Sequence, residues 1–501
     1  MEALSKKAVG SFGWEAVARG GQQAATLLST MVLARLLPPS AYGLAGMAAI
    51  FINFASTFSQ LGIPGAIVQK AEVDDDLLSS LFWFNLAVGF LLSAALMACS
   101  PLAAMFFHAP IVRPVLSVLA WTFAINSFGN IQHALFYRSM SLRKPAIAQI
   151  ASSLSAFAVA AVMAWKGYGV WSLVISNVVS RIVDSLLMWG LHPWRPGFIM
   201  RWAHFRAVSN FGLNLSAFGI VNYFARNGDN LIVGRALGSA DLGYYQNAFS
   251  LMYYPQQLIT SLVSNVLLSP LSRVQKEAER FRAAALRLAR FMGIVLFPIS
   301  FGQLVTCDLV IAVALGPKWR PAVPIFAVLT IAGSGAGLFS AVGQIMAAKG
   351  RADLMVKYGI ISTVTSLVCF LIGVHWGAIG VATGCAIAGV SSILPLVAVL
   401  RLIGLTLGAY LRALAPVISS SLGMALTVGL WRLALNAVQV HSLWLVTGSS
   451  VVLGAAAYFS FLTILCPALL RDLIELFAHS VPALRFFIRL PGLRKAAAGI
   501  E

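Results

Sequence analysis

Four apolar segments of this chain each carry a line of polar residues at helical spacing. Glu15, Arg19, Gln22 and Gln23 stand at relative positions 0, 4, 7 and 8, and Asn222, Arg226, Asp229 and Asn230 repeat those positions. Asn126, Asn130 and His133 follow at 0, 4 and 7, as do Asn177, Arg181 and Asp184. Residues so spaced share one face of an α-helix. An ionisable group inside a membrane is costly and usually faces a cavity or a partner. Guanidinium groups fork onto phosphate or carboxylate, so Arg19, Arg181 and Arg226 favour an anionic or diphosphate-bearing ligand. The amides offer paired donors and acceptors that suit sugar hydroxyls. Asp229 or Glu15 could carry a coupling proton. The same residues could instead pair locally, Glu15 with Arg19, Arg181 with Asp184 and Arg226 with Asp229, and only hold helices together. Gluing alone does not need four similar stripes, which point to an aqueous cleft. Asp308, near the outer end of a later segment, suits an interfacial position as well as a functional one.

The elements that position these stripes are membrane helices. The 501 residues are 59% hydrophobic and 10% charged, with a mean hydropathy of +0.86. Soluble domains carry roughly a quarter charged residues, and single soluble cores stop growing at about 250–300 residues. A span needs about 20 mostly apolar residues. Fourteen such stretches are expected, near 12–34, 44–66, 78–100, 115–135, 147–165, 169–190, 209–233, 244–268, 288–313, 322–346, 356–374, 377–400, 410–430 and 444–466. With the N-terminus in the cytoplasm, 25 of the 35 Lys and Arg fall in inside loops and tails or at the span ends beside them, and seven in outside loops, the asymmetry of the positive-inside rule. That rule also explains the net charge of +19 without nucleic acid, because the cations are dispersed over short loops. Glu15 and Arg19 interrupt the first apolar stretch, so it is expected to remain as a transmembrane helix and not to be cleaved as a signal. The five cysteines show no C-x-x-C pair and no nearby histidine at ligand spacing, so neither a metal site nor a disulfide framework is expected.

The chain also repeats itself. LARLLPPSAYG at 33–43 returns as VGRALGSADLG at 233–243, with Arg35 matching Arg235, Leu37 matching Leu237 and Gly43 matching Gly243. GYGVWSLVISNVVSRIV at 167–183 and HWGAIGVATGCAIAGVS at 375–391 both set glycine at an outside turn before a helix of small residues, which can pack closely in lipid. A duplicated helical bundle is a common transporter plan. The expected organisation is an N-lobe of six spans over 1–190, a basic cytoplasmic linker over 191–207, and a C-lobe of six spans over 208–402. Two further spans lie over 403–466, followed by a cytoplasmic tail over 467–501 whose apolar spacing suits an interfacial amphipathic helix. The stretch 270–287 is expected to be a cytoplasmic helical extension.

Three stretches carry a family resemblance: ARLLPPSAYGLAGM (34–47), ARNGDNLIVGRALGSADLGYYQNA (225–248) and LGPKWRPAVPIF (315–326). In these, the chain resembles the polysaccharide transporter branch of the MATE-like (MOP) exporter superfamily, the Wzx-type flippases, and within it the exopolysaccharide and colanic-acid exporter group. The resemblance implies an all-α integral membrane protein with about 14 transmembrane helices in two pseudo-symmetric six-helix lobes, plus two C-terminal helices. It also implies alternating-access movement of an undecaprenyl-diphosphate-linked oligosaccharide across the bacterial inner membrane. Arg226, Asp229 and Arg235 fall within the matching stretches; Arg35 and Arg235 suit a repeated outside turn better than a substrate contact.

No P-loop, HExxH or GxSxG motif is present, and the outside loops are too short to fold a catalytic domain, so no enzymatic activity and no cofactor are expected. H+ and Na+ are the candidates for a coupling ion. The expected partners are a lipid-linked oligosaccharide, membrane lipids and a polysaccharide polymerase with its co-polymerase. A MATE-type drug antiporter, a lipid II flippase and a membrane polymerase or ligase are the competing readings. Three intramembrane arginines disfavour cationic drugs, and a polymerase would need a large periplasmic loop.

Overall fold

The computed structural model describes residues 20–23, 25–59, 67, 73–201, 223–224, 226–273, 277–339, 342–440 and 442–467, and for 59, 258–273, 336–338 and 352 the backbone alone. Helices occupy every expected span that falls on these residues. They are α1 (25–36), α2 (Pro39–Ser59), α3 (Asp75–Phe106), α4 (Val112–Arg138), α5 (Arg143–Trp165), α6 (Val170–Leu191), α7 (226–237) and α8 (Ser239–Arg273). They continue as α9 (Ala278–Val305), α10 (Cys307–Ala314), α11 (Ala322–Phe339), α12 (Val342–Ala348), α13 (Ala352–Gly373), α14 (Gly377–Val390), α15 (Ile393–Leu402), α16 (Leu407–Ala437) and α17 (Leu443–Leu465). Among the described residues, nine stretches are long and apolar enough to cross a membrane. The chain is thus a multi-pass, all-helical membrane protein. The expected extension at 270–287 is helical up to Arg273 and again from Ala278, where it runs straight into α9. Glu15, Arg19, Asn222 and the tail beyond 467 lie outside the described residues.

Some expected single spans are broken. The span at 377–400 divides into α14 and α15, where Ser391 and Ser392 make tight backbone bonds back to Ala388 and Gly389 and the Ser391 hydroxyl donates to the Ala388 carbonyl at 2.6 Å. Side-chain bonds of this kind compete with the helical ladder. The span at 288–313 ends α9 at Val305 and restarts as α10 at Cys307. Where helices begin cleanly, the cause is local. Asp74 caps α3 by accepting from Leu77 N at 3.1 Å, with Asp75 and Asp76 beside it in the first turn, and carboxylates favour that positive helix end. Gly169 (φ +56°) and Gly377 (φ +72°) turn the chain into α6 and α14 in a left-handed conformation that disfavours other residues.

The described residues group into two compact units, one running to Gln246 and including Ala314–Trp319, the other comprising Asn247–Val313 and the residues from Arg320 onward. In the second unit, Leu288, Met292 and Leu296 of α9 pack with Ile345 and Met346 of α12, Val399 and Leu400 of α15, and Leu414 of α16. In the first, Leu77, Leu81 and Phe82 of α3 pack on Ile131 and Ala134 of α4. Outward faces stay apolar, as at Leu426 and Val452, which are 68% and 71% exposed; their solvent is lipid.

The two copies of the sequence signature meet inside the first unit. A Cβ on Gly43 would fall 1.7 Å from Ser239 O, and a Cβ on Gly243 would fall 2.0 Å from Pro39 O. The contact is reciprocal at the repeat offset, and it brings the first turns of α2 and α8 together. The third resemblance stretch closes over it. Trp319 is fully buried, edge-on to Tyr42 and Tyr244, and its indole N–H donates to Ala34 O at 2.9 Å. Lys318 Nζ donates to Arg35 O at 3.2 Å. Ala34 and Arg35 lie in the last turn of α1, where helix carbonyls lack internal partners and a cation is favourable. Arg235 donates to His108 at 2.6 Å and lies over Phe106, so it belongs to this turn region.

Residues 192–201 of the expected linker run as an extended strap over the start of α3. Gly197 N donates to Ser79 Oγ at 2.9 Å, Trp83 Nε1 donates to Gly197 O at 2.8 Å, and Arg201 pairs with Asp76 at 2.7 Å. His192 Nδ1 accepts from Trp194 N at 3.1 Å. Burial, then the charges of Lys144 and Arg195, push the His192 imidazole below its usual pKa, which keeps that nitrogen unprotonated and able to accept.

The glycine contact is directly testable. Gly43→Ala and Gly243→Ala should each cost about 1–3 kcal/mol through overpacking. Both should lower the thermal midpoint of the purified protein, whereas Gly190→Ala, with nothing within 4 Å of its Cβ position, should not. Equal midpoints for all three would refute the close approach.

Candidate functional site

The described stripe residues are gathered in the first unit, but not into one cleft. The first arrangement is an open-sided cavity of about 280 Å³ bordered by α1, α2, α5 and α6. Gln22 and Asn177, from two different stripes, both line it. The rest of its polar wall is hydroxyl: Thr26, Ser29 and Thr30 on α1, Tyr42 on α2, Ser153 on α5, and Ser176 and Ser180 on α6. No charged side chain lines it among the described residues. Gln23 does not line it; its buried Nε2 has no hydrogen-bond partner among the described residues.

The second arrangement joins α4 to α6. Gly129 lets the helices approach, since a Cβ there would stand 3.3 Å from Ser185. Ser185 Oγ donates to Ile125 O at 2.8 Å and Trp189 Nε1 to Phe128 O at 2.7 Å. One turn along α4, His133 Nε2 meets Asp184 Oδ2 at 2.9 Å, with both side chains partly exposed. Asp184 therefore pairs across helices with His133 and not locally with Arg181, which stands exposed one turn before it. Asn130 sits half-buried one turn before His133. Beside the pair, Ile125, Phe128, Ile182, Leu186 and Trp189 form an apolar groove of about 330 Å³.

The third group behaves differently. Asp229 is 5% exposed; its Oδ2 accepts from Tyr245 Oη at 3.0 Å and its Oδ1 from Asn230 N at 2.7 Å. Its bonds tie α7 to the start of α8. Asn230 Oδ1 is buried without a partner among the described residues. Arg226, one turn earlier, is exposed. In the second unit, Asp308 pairs with Arg432 at 2.6 Å, and Arg432 also donates to Val305 O, joining α16 to the α9–α10 break. Among the described residues no cluster of His, Cys, Asp or Glu could hold a metal ion.

The hydroxyl residues of the cavity were missed by a search for charged and amide groups. Their signal was the spacing of Thr26, Ser29 and Thr30 and of Ser176 and Ser180, three or four residues apart. Serine and threonine at such spacing in membrane helices ordinarily bond back to the helix or aid packing.

Residues 32–324 match the sequence family described as polysaccharide biosynthesis protein. The chain is 26% identical over 384 residues to the lipopolysaccharide biosynthesis protein WzxC of Escherichia coli (strain K12), covering 76% of this chain and 78% of that protein. It is 24% identical over 327 residues to the succinoglycan biosynthesis transport protein ExoT of Rhizobium meliloti (strain 1021), covering 65% and 66%. Among solved structures it resembles the lipid II flippase MurJ in an inward closed conformation, with a TM-score of 0.73 at 16% identity over 91% of this chain and 99% of that one. It also resembles an inward-facing multidrug resistance MATE family transporter of the MOP superfamily, with a TM-score of 0.61 at 14% identity over 76% and 94%. At these identities the likeness is one of fold, and the fold is MATE-like.

The His133–Asp184 contact predicts energetic coupling. His133→Ala and Asp184→Ala should each destabilise the purified protein, and the double variant should lose less than their sum by about 0.5–3 kcal/mol. Strict additivity in thermal or chemical unfolding would show that the pair does not interact.

Proposed function

Because the chain belongs to the polysaccharide biosynthesis protein family, we propose that it moves an undecaprenyl-diphosphate-linked oligosaccharide repeat unit across the bacterial inner membrane by alternating access. The product would feed assembly of an exopolysaccharide, capsule or O-antigen. The observation that carries this reading is the family match over residues 32–324. The relatives WzxC and ExoT, whose names place them in lipopolysaccharide biosynthesis and succinoglycan transport, support it. So does the chemistry inside the first unit. The hydroxyl-lined cavity suits sugar, the exposed Arg181 suits a diphosphate, and the apolar groove on α4 and α6 suits an isoprenoid chain. These groups bind and orient; the proposed reaction makes and breaks no covalent bond.

The halves 1–190 and 208–402 are the proposed moving bodies, linked through 191–207 and followed by 403–466, with both termini in the cytoplasm. Proton or Na+ coupling, or removal of product by a polymerase and its co-polymerase on the outer face, would supply the direction.

A clean deletion strain tests this. It should lose surface polymer and retain intact lipid-linked repeat units on the cytoplasmic leaflet, and plasmid-borne protein should restore export. Unchanged polymer with altered drug sensitivity would replace this reading with a drug antiporter.

A further inference from the structure

We propose that the cavity among α1, α2, α5 and α6 is a subsite for one uncharged sugar residue of the transported oligosaccharide. The inference rests on the translocation reading and adds a place and a selectivity to it. Size is the first argument. At about 280 Å³ the cavity lies just below the roughly 300–1,000 Å³ typical of drug-sized ligands, a volume for a single monosaccharide.

The second argument is the direction of its hydroxyl groups. Thr26 Oγ1 donates to Gln22 O at 2.8 Å, Thr30 Oγ1 to Thr26 O at 2.8 Å, Ser153 Oγ to Gln149 O at 2.8 Å and Ser176 Oγ to Leu173 O at 3.1 Å. With their protons held by the helix backbone, these four oxygens offer lone pairs to whatever enters. Tyr42 Oη is buried and has no hydrogen-bond partner among the described residues, so it still has a proton to give. Asn177 at the wall supplies both functions. The wall therefore asks for a ligand with several donors and at least one acceptor. Among the described residues the wall offers an anion no guanidinium or ammonium group to compensate the loss of its hydration. A cation, among the described residues, would find no carboxylate to compensate the loss of its hydration. A neutral polyol meets the requirement, and the ring of Phe157, also in the wall, offers an apolar face for the C–H side of a pyranose.

Saturation-transfer NMR on the full-length protein in lipid nanodiscs tests this, with glucose, galactose, glucuronate and choline as probes. Transfer should reach glucose or galactose and not choline or glucuronate. Asn177→Leu, at an exposed wall position, and Tyr42→Phe should each weaken sugar binding about fivefold, the effect of losing one hydrogen bond, with the thermal midpoint retained. Absence of transfer to either neutral sugar, undiminished transfer in both variants, or preference for choline or glucuronate would overturn the proposal. Variants that lose sugar binding yet export polymer at the normal rate would also overturn it while leaving translocation intact. Normal export in the deletion strain would remove the translocation reading, and this inference with it.

Discussion

The backbone of Ser239 lies against Gly43, and that of Pro39 against Gly243, so closely that neither glycine can carry a side chain. Lipid gives membrane helices no hydrophobic drive to associate, so close backbone approach and internal hydrogen bonds must hold them. Here one approach serves both copies of a repeated signature. It fixes the first turn of α2 against the first turn of α8, and Trp319 and Lys318 then seal the end of α1 by taking carbonyls that no helical N–H can reach. Because α1 and α2 contribute two walls of the hydroxyl cavity, its shape depends on this contact. Tyr42 makes the link concrete: it lines the cavity and packs edge-on against Trp319.

Polar groups buried in a membrane protein must each find a partner or a purpose, and this chain divides them by chemistry. Among the described residues, three carboxylates are held by specific bonds: Asp229 by Tyr245 and a backbone N–H, Asp184 by His133, Asp308 by Arg432. Among the same residues, the amides of Gln22 and Asn177 and several hydroxyls face a cavity. Arg181 and Arg226 stand exposed. That division suits a substrate with an uncharged glycan, an anionic link and an apolar tail better than it suits a cationic drug.

Much of the fold was legible in the sequence because membrane helices announce themselves through length and hydropathy, and because Gly43 and Gly243 stand at the same place in a visible repeat. Their role was not legible: a repeated glycine reads as a turn until its neighbour across space is known. The stripe spacing placed Asn130 with His133 and Arg181 with Asp184 on common faces, but helix periodicity cannot say which helix lies opposite, so the cross-helix pairing of His133 with Asp184 came only from the packing of Gly129 on Ser185. Asp229 looked like a cavity carboxylate from its neighbours in sequence. Tyr245, sixteen residues away, takes that carboxylate into the packing instead. The cavity's hydroxyls went unread because serine and threonine in a membrane helix look the same whether they bond backward or outward.

The most direct measurement is leaflet-resolved transport by the purified protein. A fluorescent polyprenyl-diphosphate oligosaccharide would be incorporated into proteoliposomes, and the fraction accessible to a membrane-impermeant quencher followed with time. Translocation predicts that accessibility rises beyond the outer-leaflet fraction with the protein present and not in protein-free vesicles, and that a lipid lacking the glycan is moved more slowly. Identical accessibility with and without the protein, under an imposed H+ or Na+ gradient as well as without one, would contradict it.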